Sequence, residues 1–117
     1  MSTLYSGNGT FLANTTITAF RAVVLSSNGG VTLNSGTTKP DGFAQIDAAS
    51  GDYVSVKFLH SDGTQKGALS AAPITIGDIV YAANAGNVSP TGTVAIGKAL
   101  TTSAVTGAVI EFIPNTL

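Results

Sequence analysis

The 117 residues have the size of one domain, and a hydrophobic share of 44% suffices for a core. Charged residues make up only 9%, five Lys and Arg against six Asp and Glu, where an ordinary soluble domain carries about 25%. That balance argues against disorder and leaves no basic patch for nucleic acid, while the absence of cysteine excludes disulfides, thiolate metal sites and cysteine nucleophiles.

The opening M-S-T-L-Y-S-G-N-G-T lacks a basic region followed by an apolar run, so it does not read as a secretory signal. No stretch approaches the ~20 apolar residues of a membrane-spanning helix. Residues 1–13 are rich in Gly, Ser and Asn but carry Leu4, Tyr5, Phe11 and Leu12. They are too apolar for an inert tail and too interrupted for a core strand, so they read as an arm ahead of a single β domain over 14–117. The first strand signal runs from Ile17 to Leu25, with Arg21 its only charge. Asn28, Gly29 and Gly30 form the turn, because Asn-Gly tolerates positive φ. Val31 to Leu33 begin the return, and Lys39-Pro40-Asp41-Gly42 is a second turn.

Phe43 to Ile46 read as a short strand, followed by a turn at Gly51-Asp52. Tyr53 to Leu59 alternate most cleanly: Val54, Val56 and Phe58 face one way, Ser55 and Lys57 the other. His60 to Gly67 read as a polar connector, and Gly67 to Ala72 as a helical turn or loop. The plan then returns: strand from Ile74 to Ala82, turn at Asn84 to Gly86, strand from Thr93 to Lys98, turn ending at Gly107, strand from Ala108 to Ile113. Pro114 closes it. No long window has helical periodicity. The expected fold is all-β with little helix, a small barrel or sandwich of short antiparallel strands.

The two halves, about 17–58 and 73–114, repeat each other at an offset of 56: Val24 with Val80, Asn28 with Asn84, Gly30 with Gly86, Gly51 with Gly107. Val54 and Val56 match Ile110 and Phe112 with unchanged parity, which predicts the same buried face in both. A pseudo-twofold between the halves is the corresponding expectation.

Little of the sequence points to chemistry. His60 is the only histidine and sits beside Ser61 and Asp62. A triad needs its groups to converge from separate parts of the fold, whereas neighbours in one turn are explained by local capping. Asp52 and Asp78 each follow a glycine and precede an apolar strand, as turn residues that accept backbone N–H groups do. A shared calcium site would need six or more oxygen ligands, and no dense acidic cluster exists. Phosphate-binding glycine motifs are absent. No catalytic residue, metal site or cofactor is expected. Tyr53 is out of phase with Val54 and should lie outside, either as an interface residue or as a lone surface tyrosine. So little surface charge favours self-association.

G-D-I-V-Y (77–81), the Asn84–Val88 turn, V-A-I-G-K-A-L (94–100) and G-A-V-I-E-F (107–112) together resemble small capsid decoration, or cement, proteins of tailed bacteriophages. The first half carries a weaker version, with Arg21-Ala22 in place of Gly77-Asp78. The resemblance covers 17 to 113. It implies a structural virion protein, made in the host cytoplasm and seated on the head exterior against the major capsid protein. It also implies a homo-oligomer, a trimer rather than a dimer, with no nucleic-acid or membrane partner. Leu4, Tyr5, Phe11, Leu12 and Tyr53 are the candidate capsid or subunit contacts. The alternative is a β-rich receptor- or glycan-binding module of a tail or fibre, although the chain has no Trp.

Overall fold

The alternating run from Tyr53 to Phe58 is a strand in the computed structural model, which describes residues 8–59 and 63–114. Val54 and Val56 are buried and Tyr53 is exposed, as a pleated strand with one covered face requires. In chain order the strands are β1 (Asn8–Leu12), β2 (Ala22–Leu25), β3 (Val31–Leu33), β4 (Gly42–Ala44) and β5 (Tyr53–Phe58), then β6 (Gln65–Ala68), β7 (Ile79–Ala82), β8 (Val88–Ser89), β9 (Ala95–Ala99) and β10 (Val109–Pro114). The only helical element among the described residues is a 3-10 turn at Asn84–Gly86.

Two five-stranded antiparallel sheets pack as a sandwich. Their orders are β1-β5-β4-β2-β3 and β6-β10-β9-β7-β8, so the second half repeats the first strand for strand. In each half the outermost strands also approach one another through a parallel bridge, Ala13 to Val31 and Leu69 to Val88. Each sheet therefore curls towards a closed barrel, which leaves few open edges.

The repeat is not uniform in register. Val54 and Ile110 are both buried at equivalent places in β5 and β10, an offset of 56 as expected. In β2 and β7 the offset is 57: Val23 and Val80 each pair with a mid-sheet glycine, Gly42 and Gly97. The segment between Ser70 and Ile74 is one residue longer than that between Asn14 and Ile17, which causes the slip. Val24 is thus the counterpart of Tyr81, not of Val80. Likewise Gly29 and Gly86, both at positive φ, are counterparts (87° and 76°), rather than Gly30 and Gly86. The residues in place of Gly77-Asp78 are Phe20-Arg21, not Arg21-Ala22.

The halves pack back to front. The inner face of the first sheet buries Ile17, Val23, Val31, Ala44, Val54 and Val56 in a core of its own. The second core contains the equivalent residues Ile74, Val80, Val88, Ala99, Ile110 and Phe112, and also Ala22, Phe43 and Leu59 from the first half. Ala22 and Phe43 are cross-strand neighbours of each other, and Phe43 of Lys57, so both lie on the first sheet's outer face. Phe43 meets Phe112 edge to face, with ring centroids 5.4 Å apart. Contact between unlike faces is not the twofold arrangement expected from the repeat.

Several segments differ from the sequence expectation. The run from Ile17 to Leu25 is a strand only from Ala22, because Phe20 takes a left-handed φ of 65°. Gln65–Ala68, expected as connector and loop, is β6, and Val88–Ser89 is β8. Pro114 does not stand outside the last strand but ends it, opposite Gly97. Asn8–Leu12, expected within an arm, forms β1 and pairs over five residues with β5. The pairing side of β5 is the reason: that strand needs a neighbour to satisfy its backbone groups.

Candidate functional site

Among the exposed hydrophobics of the described residues, two groups meet across paired strands on the outer faces of the sheets. On the first, the register sets Leu12 directly opposite Tyr53. Tyr53 is 69% exposed and Leu12 36% exposed, so the pair forms an uncovered apolar ridge. Asp52 precedes Tyr53, and beside them lies a shallow depression walled by Thr16, Thr18, Asp47, Ala49, Asp52 and Tyr53. On the second sheet, Lys98 is the cross-strand neighbour of both Ile79 and Ile113. These isoleucines are 49% and 48% exposed, and with Ala95, Lys98 and Pro114 they line a largely apolar depression.

The charges on these surfaces differ from the others. Asp41 accepts the N–H of Leu25, Asp47 that of Ala19, and Asp78 that of Thr75. Glu111 accepts the Thr64 hydroxyl, Lys57 donates to Thr64 O, and Arg21 donates to Ala19 O. Lys66 lies over the Phe20 ring, 5.8 Å from its centroid, and Lys39 is also engaged. Among the described residues only Asp52 and Lys98 have charged ends without an intramolecular partner.

Of the expected contacts, Leu12 and Tyr53 are brought together and left exposed. Phe11 is half-buried against the first core and meets Phe58 edge to face at 5.8 Å, so it serves the fold. Leu4 and Tyr5 lie outside the described residues, as do His60, Ser61 and Asp62. The expected turn residues are at turns: Gly29, Gly51, Gly77, Gly86 and Gly107 all have positive φ. Gly30 receives the Ser26 N–H on its carbonyl while its own N–H donates to Asn28. Asn84 starts the 3-10 turn. Asp78 accepts a backbone N–H as expected, whereas Asp52 does not. No three Asp, Glu, His or Cys side chains converge on a metal-sized site among the described residues.

The profile of the phage cement protein family matches residues 6–113. The chain belongs to that family. As a phage cement protein it is a structural component of the virion, on the exterior of the head. Its fold is similar to the N base of head fibre gp8.5 in bacteriophage phi29. The TM-score is 0.78 over 92% of each chain, at 19% sequence identity. No curated protein matches the chain by sequence. The cement protein's second surface, Ile79–Lys98–Ile113, has no signature in the sequence. Its residues come from three strands, and only the β7-β9-β10 register joins them.

Proposed function

We propose that this cement protein binds the outer surface of the expanded phage head as a homo-oligomer, a trimer in preference to a dimer, and stabilises the shell. The observation that carries the reading is the family match over nearly the whole β fold. The major capsid protein is the partner, and the chain acts by contact rather than by catalysis. Its low charge and exposed apolar ridges suit this: the exposed parts of Leu12, Tyr53, Ile79 and Ile113 can be covered at a gain of about 25 cal/mol per Å² of apolar surface. Leu4 and Tyr5, ahead of β1, add apolar contact with the shell in the same way.

The test uses purified expanded heads lacking the protein. Added protein should bind at a fixed number of sites per head and raise the temperature at which the heads rupture. Heads that bind none, or that bind it and rupture unchanged, would defeat the proposal. Binding to host-cell glycans instead would favour the receptor-binding alternative.

A further inference from the structure

The two uncovered surfaces are complementary. One presents a lone cation between two isoleucines, and the other a lone carboxylate beside Tyr53 and Leu12. We infer that a second copy of this chain docks its Ile79–Lys98–Ile113 face on the Leu12–Tyr53 ridge, with Lys98 directed into the depression between Asp47 and Asp52. The pairing deepens the oligomer of the proposed function by naming its two faces.

Three observations support it. First, Asp52 and Lys98 are the only described charges left without an intramolecular partner; Lys98 lies among Ile79, Ile113 and Pro114, and Asp52 lines a depression that Tyr53 also walls. Covering the apolar surroundings of Lys98 removes water, which strengthens a charge pair and makes the cation costly to cover without its opposite. Second, the repeat marks the Ile79 face as a packing face. Its first-half counterparts of Ile79 and Lys98 are Ala22 and Phe43, both fully buried against the second half. Third, a second copy cannot reuse that internal mode. Phe43 reaches the second core beside Gly67, where an added Cβ would lie 3.3 Å from its ring and 2.9 Å from Val88. The position equivalent to Gly67, opposite Val54 rather than Ile110, holds Phe11. Its ring fills the opening in the first half, so the incoming face needs a different acceptor, and the ridge with Asp52 is available.

The contact joins unlike faces, each used once per chain. Such a contact closes into a ring when the rotation between copies permits, and a two-membered isologous pair does not follow from it.

Sedimentation of the full-length protein at micromolar concentration reads this without any shell, so failure of head binding leaves it standing. The wild type should sediment as a closed oligomer. Lys98→Glu and Asp52→Lys should each weaken self-association at least about tenfold, since each sets like charges face to face. The double reversal Lys98→Glu with Asp52→Lys should restore most of it. Both substituted residues are exposed, and circular dichroism melts check that the variants fold. As a measurement on unaltered protein, a zero-length carbodiimide cross-link should join Lys98 of one copy to Asp52 or Asp47 of another, found by mass spectrometry in the covalent dimer band. A monomeric wild type would overturn the inference, as would unchanged oligomers in both single variants. So would losses in both singles that the double does not repair. A monomer whose Lys98→Glu variant no longer binds heads would assign the same face to the shell instead, which also overturns self-docking.

Discussion

Phe20 and Gly77 occupy the same position in the two halves. Each donates its N–H to a carbonyl at the end of the fourth strand, Phe20 to Ala44 at 2.7 Å and Gly77 to Ala99 at 2.9 Å. Each takes a left-handed φ, 65° and 94°. For phenylalanine that conformation costs roughly 1–2 kcal/mol, whereas glycine adopts it freely. In the first half the phenylalanine ring lies under the Lys66 ammonium group, 5.8 Å from the ring centroid, which offsets part of that strain. A partly exposed cation–π contact is worth roughly 0.5–1 kcal/mol.

The two sites should therefore respond differently. A Cβ at Gly77 would meet no atom within 4 Å, so strain is unopposed there. Gly77→Ala should destabilise the protein by about 1 kcal/mol in urea unfolding. Phe20→Gly should change stability by less than about 1 kcal/mol, because relief of strain opposes the lost ring contact and the added chain entropy. A larger loss at Phe20 than at Gly77 would contradict this account.

Gly42 and Gly97 form a second equivalent pair, at the centre of each sheet, where close approach rather than φ excludes a side chain. An added Cβ would lie 2.6 Å from Lys57 O at Gly42 and 2.3 Å from Ile113 O at Gly97. Backbone atoms in a paired strand cannot yield without separating the sheet. Either Gly→Ala change should cost about 3 kcal/mol or more, beyond ordinary overpacking. Gly97→Ala, with Phe112 Cδ2 also at 2.6 Å, should be the worse. Equilibrium denaturation showing a loss below about 1 kcal/mol would refute the crowding argument.

How far these features were legible follows from which interactions set them. β5 and β10 were readable because period-2 alternation is written into their own residues, and the parity of Val54 and Ile110 held. β1 and β6 were not. N-G-T-F-L and Q-K-G-A have weak strand propensity, and both take their form by pairing with β5 and β10. The one-residue slip at β2 was hidden because Val23 and Val24 are the same residue type, so identity could not choose between them. Of the interaction surfaces, Tyr53 was legible from parity, but its neighbour Leu12 and the isoleucines around Lys98 depend on register across strands.

The back-to-front packing predicts unequal effects from truncating one buried phenylalanine, Phe43, and one buried valine, Val54. Phe43 lies on the outer face of the first sheet yet belongs to the second core. Phe43→Ala should cost about 3–5 kcal/mol, the usual range for truncating a buried phenylalanine. Native-state hydrogen exchange should then show protection falling first in β6 to β10, since the first core does not contain Phe43. Val54→Ala should instead loosen β1 to β5 first. Equal loss across both halves in the two variants would argue against separate cores.

Tyr53 and Leu12 should matter more for assembly than for folding. Tyr53→Ser removes mostly exposed surface and should alter unfolding free energy by within about 0.5 kcal/mol, whereas Leu12→Ser, at a side chain about two-thirds covered, should cost about 1 kcal/mol. Oligomer mass and head binding should fall in both. A stability loss of 2 kcal/mol or more, on the order of a core truncation, would show that the ridge is part of the fold.

The last prediction separates the chain ahead of β1 from β1 itself. Residues 2–7 include Leu4 and Tyr5 and no charged side chain. Residues 8–12 are the strand that pairs along β5, and Phe11 covers part of the first core. Deleting 2–7 should leave the β fold intact and weaken head binding. Up to two apolar contacts per copy are removed, each worth at most roughly 1.5–3 kcal/mol, and the effect should be visible chiefly where several copies bind together. Deleting 2–12 should behave differently. It strips β5 of its outer neighbour and uncovers Val54 and Val56, so unfolding free energy should drop by several kcal/mol. Because the shorter deletion removes an apolar contact, the loss of head binding it causes should be nearly the same at about 50 and 500 mM salt, although the Debye length shortens several-fold between them. Full binding by the 2–7 deletion, or a binding defect that disappears at high salt, would refute an apolar role for Leu4 and Tyr5.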